Sequence, residues 1–148
     1  MTRRFFFVLF LVLFLLSVVL LSLGLPVLER PVIGRLPFGN LLAWTAAFAL
    51  PTCIFFGVPR IALPRDGWDR AFRSIFVFLM FLGACFGLAA FALAGNWSAS
   101  FQNPSPTWRG SSQAGQIYFA YAGLMVLLPA ALIIIYALGR TVRRMRGK

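Results

Sequence analysis

Four stretches, 5–25, 38–58, 74–95 and 117–138, are almost uninterrupted apolar sequence, and nearly every charged residue lies between them. Each holds about 20 residues. At about 1.5 Å of rise per residue, a helix of that length crosses the roughly 30 Å hydrocarbon layer of a bilayer. A backbone in lipid must satisfy its own N–H and C=O groups, which restricts spanning structures to helices and closed barrels. The ten-residue alternation of barrel strands is absent, so the four runs predict helices. With 61% hydrophobic and 11% charged residues, the chain has too little polar surface to clothe a water-soluble core. The expected fold is an all-α integral membrane protein, a four-transmembrane-helix bundle forming a single membrane domain over residues 1–148.

The basic residues predict how the bundle is threaded. Arg3 and Arg4 precede the first run, Arg60, Arg65, Arg70 and Arg73 occupy loop 59–73, and Arg140, Arg143, Arg144, Arg146 and Lys148 fill the tail 139–148. Against these eleven, loop 26–37 has Arg30 and Arg35, and loop 96–116 has Arg109. The positive-inside bias therefore places both termini and loop 59–73 in the cytoplasm, and loops 26–37 and 96–116 outside. The first run carries a basic start and small residues near Gly24, as a signal peptide would. Its apolar core, Phe5 to Leu21, exceeds the usual length of about 7–15 residues, which favours a retained helix. All 14 basic residues except Lys148 are Arg, in a chain rich in Ala, Gly and Pro. That usage points to a GC-rich bacterial gene and so to the bacterial inner (plasma) membrane.

A net charge of +11 would suggest nucleic acid in a soluble domain. Here the charges border membrane helices, where topology and anionic headgroups on the cytoplasmic side account for them, and no nucleic acid is expected. The chain contains no histidine, which removes imidazole metal ligation and His-based acid–base catalysis. Cys53 and Cys85 form no CxxC pair and read as small buried apolar side chains. No Asp, Glu, Lys or Arg falls in the middle of a run, where ion-coupled transporters place a charged residue despite its cost. Glu29, beside Arg30 and Pro31, reads as a loop residue. The expectation is no catalytic site, no cofactor and no metal.

Three surfaces remain as candidates. Gly83 and Gly87 make a GxxxG motif, and Ala90 and Ala94 continue its face, which suits close helix packing within the chain or docking of another subunit or second copy. Asn40, Trp44 and Thr45 share an expected depth with Gln113, Gln116, Tyr118 and Tyr121. They could line an outer-leaflet pocket for a headgroup or quinone, or form an interfacial belt joined by Trp97 and Trp108. The third is the charged turn "PRDGWDR", with Arg65, Asp66, Asp69 and Arg70, followed by Arg73. The spacings Asp66–Arg70 and Asp69–Arg73 are both i, i+4, predicting surface pairs on a helical lead-in to the third span. Two neighbouring carboxylates raise the question of a membrane enzyme, but such a site needs a supported cavity, and no other cytoplasmic polar group offers support.

Three further features complete the reading. The first run is bulky all round and is expected to face lipid. Pro51 and Pro129 are expected to interrupt and bend the second and fourth helices. Asn96-Trp97-Ser98 matches a glycosylation sequon by chance, since it lies too close to the membrane for efficient use. The functional expectation is a small non-catalytic membrane protein, an accessory, assembly or stabilising subunit of a larger complex. The alternative is a facilitator or channel formed by self-association, without ion coupling.

Overall fold

A computed structural model of the chain describes residues 2–33, 36–95 and 110–146. Four helices are long and apolar enough to cross a membrane. These are α1 (Arg3–Leu23), α2 (Phe38–Gly57), α4 (Gly67–Ala94) and α5 (Ser112–Arg146), with the single turn α3 (Pro59–Ala62) between α2 and α4. A 3-10 turn (Pro26–Glu29) and a small antiparallel pair, β1 (Pro31–Ile33) and β2 (Leu36–Pro37), join α1 to α2. The sequon at Asn96, together with Trp97, Trp108, Arg109, Arg35 and Lys148, lies outside the described residues.

Local chemistry sets where each helix begins and ends. Gly24 caps α1 in the left-handed region (φ 58°), which glycine enters without a Cβ penalty, and Pro26 then blocks continuation. Helix α4 begins at Gly67, ahead of the apolar run, because the Asp66 side chain accepts the Asp69 N–H at 2.8 Å. The Ser111 hydroxyl accepts the Ala114 N–H at 3.1 Å and so opens α5. That helix does not stop at residue 138. It carries the basic segment on to Arg146, converting what reads as a tail into more than two further turns of helix. Pro51 and Pro129 both sit inside continuous helices rather than ending them.

The bundle is built around α2, whose membrane-length window is 39% buried, against 6% for α1. Helix α1 lies along the outside of α2: Phe6 stacks on Phe56 at 5.2 Å, Phe10 meets Phe48 edge-on at 5.7 Å, and Ser17 is its one buried residue. The other side of α2 packs on α4, and α4 on α5. One buried cluster, Ile61, Phe72, Phe76, Leu79 and Tyr136, fills the arginine-rich end, and a second, Ala47, Phe86 and Met125, fills the opposite half. Phe119 and Leu127 on α5 and Val12 and Leu16 on α1 remain exposed. Such outward apolar side chains match a lipid solvent, and in lipid it is close packing rather than the hydrophobic effect that holds helices together.

Proline and glycine cooperate at the α2–α4 crossing. Pro51 has no N–H, so the Ala47 carbonyl four residues earlier loses its usual helical partner. Gly83 fits against that carbonyl: a Cβ at residue 83 would lie 2.6 Å from Ala47 O and 2.8 Å from Phe48 Cα. The glycine presents only a Cα–H to the freed oxygen, a weak contact that recurs between close membrane helices.

Candidate functional site

The arginine-rich end of the bundle gathers the chain's polar chemistry. Capping by Asp66 fixes the first turn of α4 and rotates Asp69 inward, where it is fully buried. Asp69 Oδ1 accepts from the Tyr136 hydroxyl at 2.7 Å and from Arg140 Nη1 at 2.7 Å. Its other oxygen, Oδ2, accepts the backbone N–H of Arg65 at 3.3 Å. Arg140 Nη1 also donates to the Tyr136 oxygen at 3.2 Å, closing a triangle of polar atoms. Tyr136 and Arg140 stand i, i+4 on α5, so one face of that helix delivers both.

The surface pairs expected at the charged turn are corrected by this arrangement. Asp69 pairs with Arg140, and Arg73 instead donates to the Ala62 carbonyl at 3.3 Å, tying α4 to α3. Asp66 spends its carboxylate on the helix cap rather than on Arg70. A side chain aimed into the bundle cannot follow the helix-surface geometry on which i, i+4 pairing rests. Polar support for Asp69, which the sequence reading did not find, comes from residues 67 and 71 positions further along. The available signal was Tyr136 and Arg140, one turn apart where the fourth apolar run meets the basic segment.

Aromatic side chains enclose this triad. Phe72 packs on Tyr136 at 5.1 Å and on Trp68 at 4.8 Å. Trp68 lies across Gly139, where a Cβ would come within 2.6 Å of the indole ring. On its open side the indole carries the Arg143 guanidinium, 4.5 Å from the ring centroid. Chemically, Asp69 is a carboxylate whose Oδ1 is bonded by donors from α5 and whose Oδ2 accepts from the chain just ahead of α4. A buried ion held this way is costly to disrupt, because loss of one partner strands the other charge.

The small-residue face turns toward α2. Gly83, Gly87 and Ala94 are buried and Ala90 is half-buried. A Cβ on Gly87 would overlap the Trp44 indole, whose Nε1–H donates to Ala84 O at 2.8 Å. Trp44 and Tyr121 both border the Ala47–Phe86–Met125 cluster, and the Tyr121 hydroxyl donates to the Leu82 carbonyl. The two side chains thus clasp α4 from α2 and from α5. Thr45 bonds back to Leu41 O at 2.8 Å within its own helix, Asn40 is half-buried at the start of α2, and Gln116 is exposed. Trp44 and Thr45 also line an apolar groove of about 330 Å³, with Phe48 of the same helix, Phe10 and Leu13 from α1 and Ala84 from α4. Gln116 and Tyr121 are not among its lining residues.

No protein-family model matches the chain, and no curated protein and no solved structure matches it.

Proposed function

We propose that this chain is a small non-catalytic subunit of a bacterial inner-membrane complex, assembling or stabilising that complex with both termini and the arginine-rich end in the cytoplasm. The observation that carries the reading is the use made of Asp69, the buried acid among the described residues: it is fully enclosed, its Oδ1 holds α4 on α5 and its Oδ2 accepts the Arg65 N–H. The interior is closed by Phe76, Leu79, Phe86 and Met125, which favours a packed scaffold over conduction through one copy. The peripheral α1 and the outer face of α5 offer long apolar surfaces to lipid or to a neighbouring subunit. The cytoplasmic edge faces anionic headgroups, and nucleic acid has no part in this reading.

Extraction in mild detergent followed by native mass spectrometry tests the proposal. Stoichiometric foreign subunits are expected to accompany the chain. A clean monomer overturns the reading, and a homo-oligomer of this chain alone favours the facilitator.

A further inference from the structure

We propose that the Trp68–Arg143 corner of the arginine-rich end is a binding site for the phosphate of an anionic membrane phospholipid. Three independent observations converge there. The first is an unanswered donor: among the described residues, Trp68 Nε1 is the buried side-chain nitrogen or oxygen that has no hydrogen-bond partner. An indole N–H can only donate, and a buried donor calls for an acceptor from outside the chain.

The second is the cation beside it. The Arg143 guanidinium lies 4.5 Å from the centroid of the same indole ring, so a cation stands beside the unanswered donor. Both offer donors only, and a phosphodiester offers acceptors only, with a charge that matches the guanidinium. The two acidic side chains at this end cannot fill this role, since Asp66 caps α4 and Asp69 is committed to Tyr136 and Arg140.

The third is the local excess of charge. Arg60, Arg65, Arg70, Arg73, Arg140, Arg143 and Arg144 surround this end against Asp66 and Asp69, seven cations to two anions. Arg140–Asp69 is the one ion pair among the described residues, which leaves a strong positive field where headgroups lie. Ile135, Leu138 and Val142, at i, i+3 and i+7 on the neighbouring face of α5, are exposed and run from this corner toward the bundle's middle. They give acyl chains a surface continuous with the phosphate site. A phospholipid satisfies both halves, and a soluble anion satisfies only one.

The inference rests on the membrane placement proposed above but not on the presence of partner subunits, because it is read on the isolated chain. Purified full-length protein is reconstituted in phosphatidylcholine nanodiscs with increasing phosphatidylglycerol, and retained lipid is counted by native mass spectrometry after gentle release. One phosphatidylglycerol per chain is expected to persist in preference to phosphatidylcholine. Arg143→Gln is expected to lower that preference about fivefold, the value of about 1 kcal/mol per basic residue at an anionic surface. Trp68→Phe keeps a benzene ring but loses the N–H together with the pyrrole half of the indole, and it is expected to weaken retention with the fold intact by circular dichroism. Arg70→Gln removes the same unit of charge from the exposed flank of α4 and is expected to change retention less than Arg143→Gln.

Equal losses from Arg70→Gln and Arg143→Gln would mean diffuse attraction and overturn the site. So would displacement of the lipid by inorganic phosphate at equal molar amounts, which would assign the corner to a soluble anion. Retention of an acidic polypeptide there, with no lipid preference, would equally overturn it. A stable complex with foreign subunits but no lipid preference rejects this inference while leaving the proposed function standing.

Discussion

Replacing Gly83 by Ala probes the contact on which the α2–α4 pairing depends. The added Cβ would sit 2.6 Å from Ala47 O, 2.8 Å from Phe48 Cα and 3.0 Å from Ala47 C. All three are backbone atoms, so no side chain can swing aside, and the helices must part by about half an ångström. Overpacking of this kind costs about 1–3 kcal/mol, and the backbone contact argues for the upper half of that range. Alanine also favours helix over glycine by about 1 kcal/mol, which offsets part of the loss. Gly123→Ala separates the two effects, because a Cβ at residue 123 of α5 meets nothing within 4 Å. That variant should be as stable as the parent or up to about 1 kcal/mol more stable. The expected gap between the two variants is therefore about 2–3 kcal/mol, and helix propensity cancels from it. Unfolding by sodium dodecyl sulfate titration in mixed micelles, followed by circular dichroism, measures the gap. Variants that unfold together, within about 0.5 kcal/mol, would refute the α2–α4 packing. An altered oligomer with unchanged monomer stability would move the small-residue face to a contact between chains.

Arg140→Gln strands the buried Asp69 carboxylate and should cost about 3 kcal/mol, while Asp69→Asn with Arg140→Gln should recover part of that loss; strictly additive effects in the same titration would contradict the pairing. Tyr136→Phe removes one donor to Asp69 Oδ1 and should cost about 1–3 kcal/mol, and an unchanged midpoint would exclude that bond. Trp44→Phe keeps an aromatic ring over Gly87 but drops the hydrogen bond to Ala84 O, for an expected loss of about 1 kcal/mol; a stability equal to the parent would show that the bond contributes nothing. In a background of Cys53→Ala with Cys85→Ala, a single cysteine at the exposed position 112 or 145 should react with impermeant maleimide from opposite sides of the membrane. Labelling of both from one side would reject the proposed threading.

The number of membrane-length helices and their apolar character were legible in the sequence, because both follow from properties local to each segment. A charge is costly wherever it enters hydrocarbon, and helical rise converts residue count directly into thickness. The helical lead-in ahead of the third apolar run was legible as well, but its spacing paired Asp66 with Arg70, whereas the structure uses that carboxylate to cap the helix. Helix rotation is a different matter. The spacing of Asp69 and Arg73 pointed to a surface pair, yet the packing of α4 turned Asp69 inward to Tyr136 and Arg140. Likewise "GACFG" reads the same whether its glycines meet another chain or the Ala47 carbonyl that Pro51 leaves open. Each choice depends on which residues of distant segments arrive at the same height and face. That is settled by packing among whole helices, and no local window of sequence contains it.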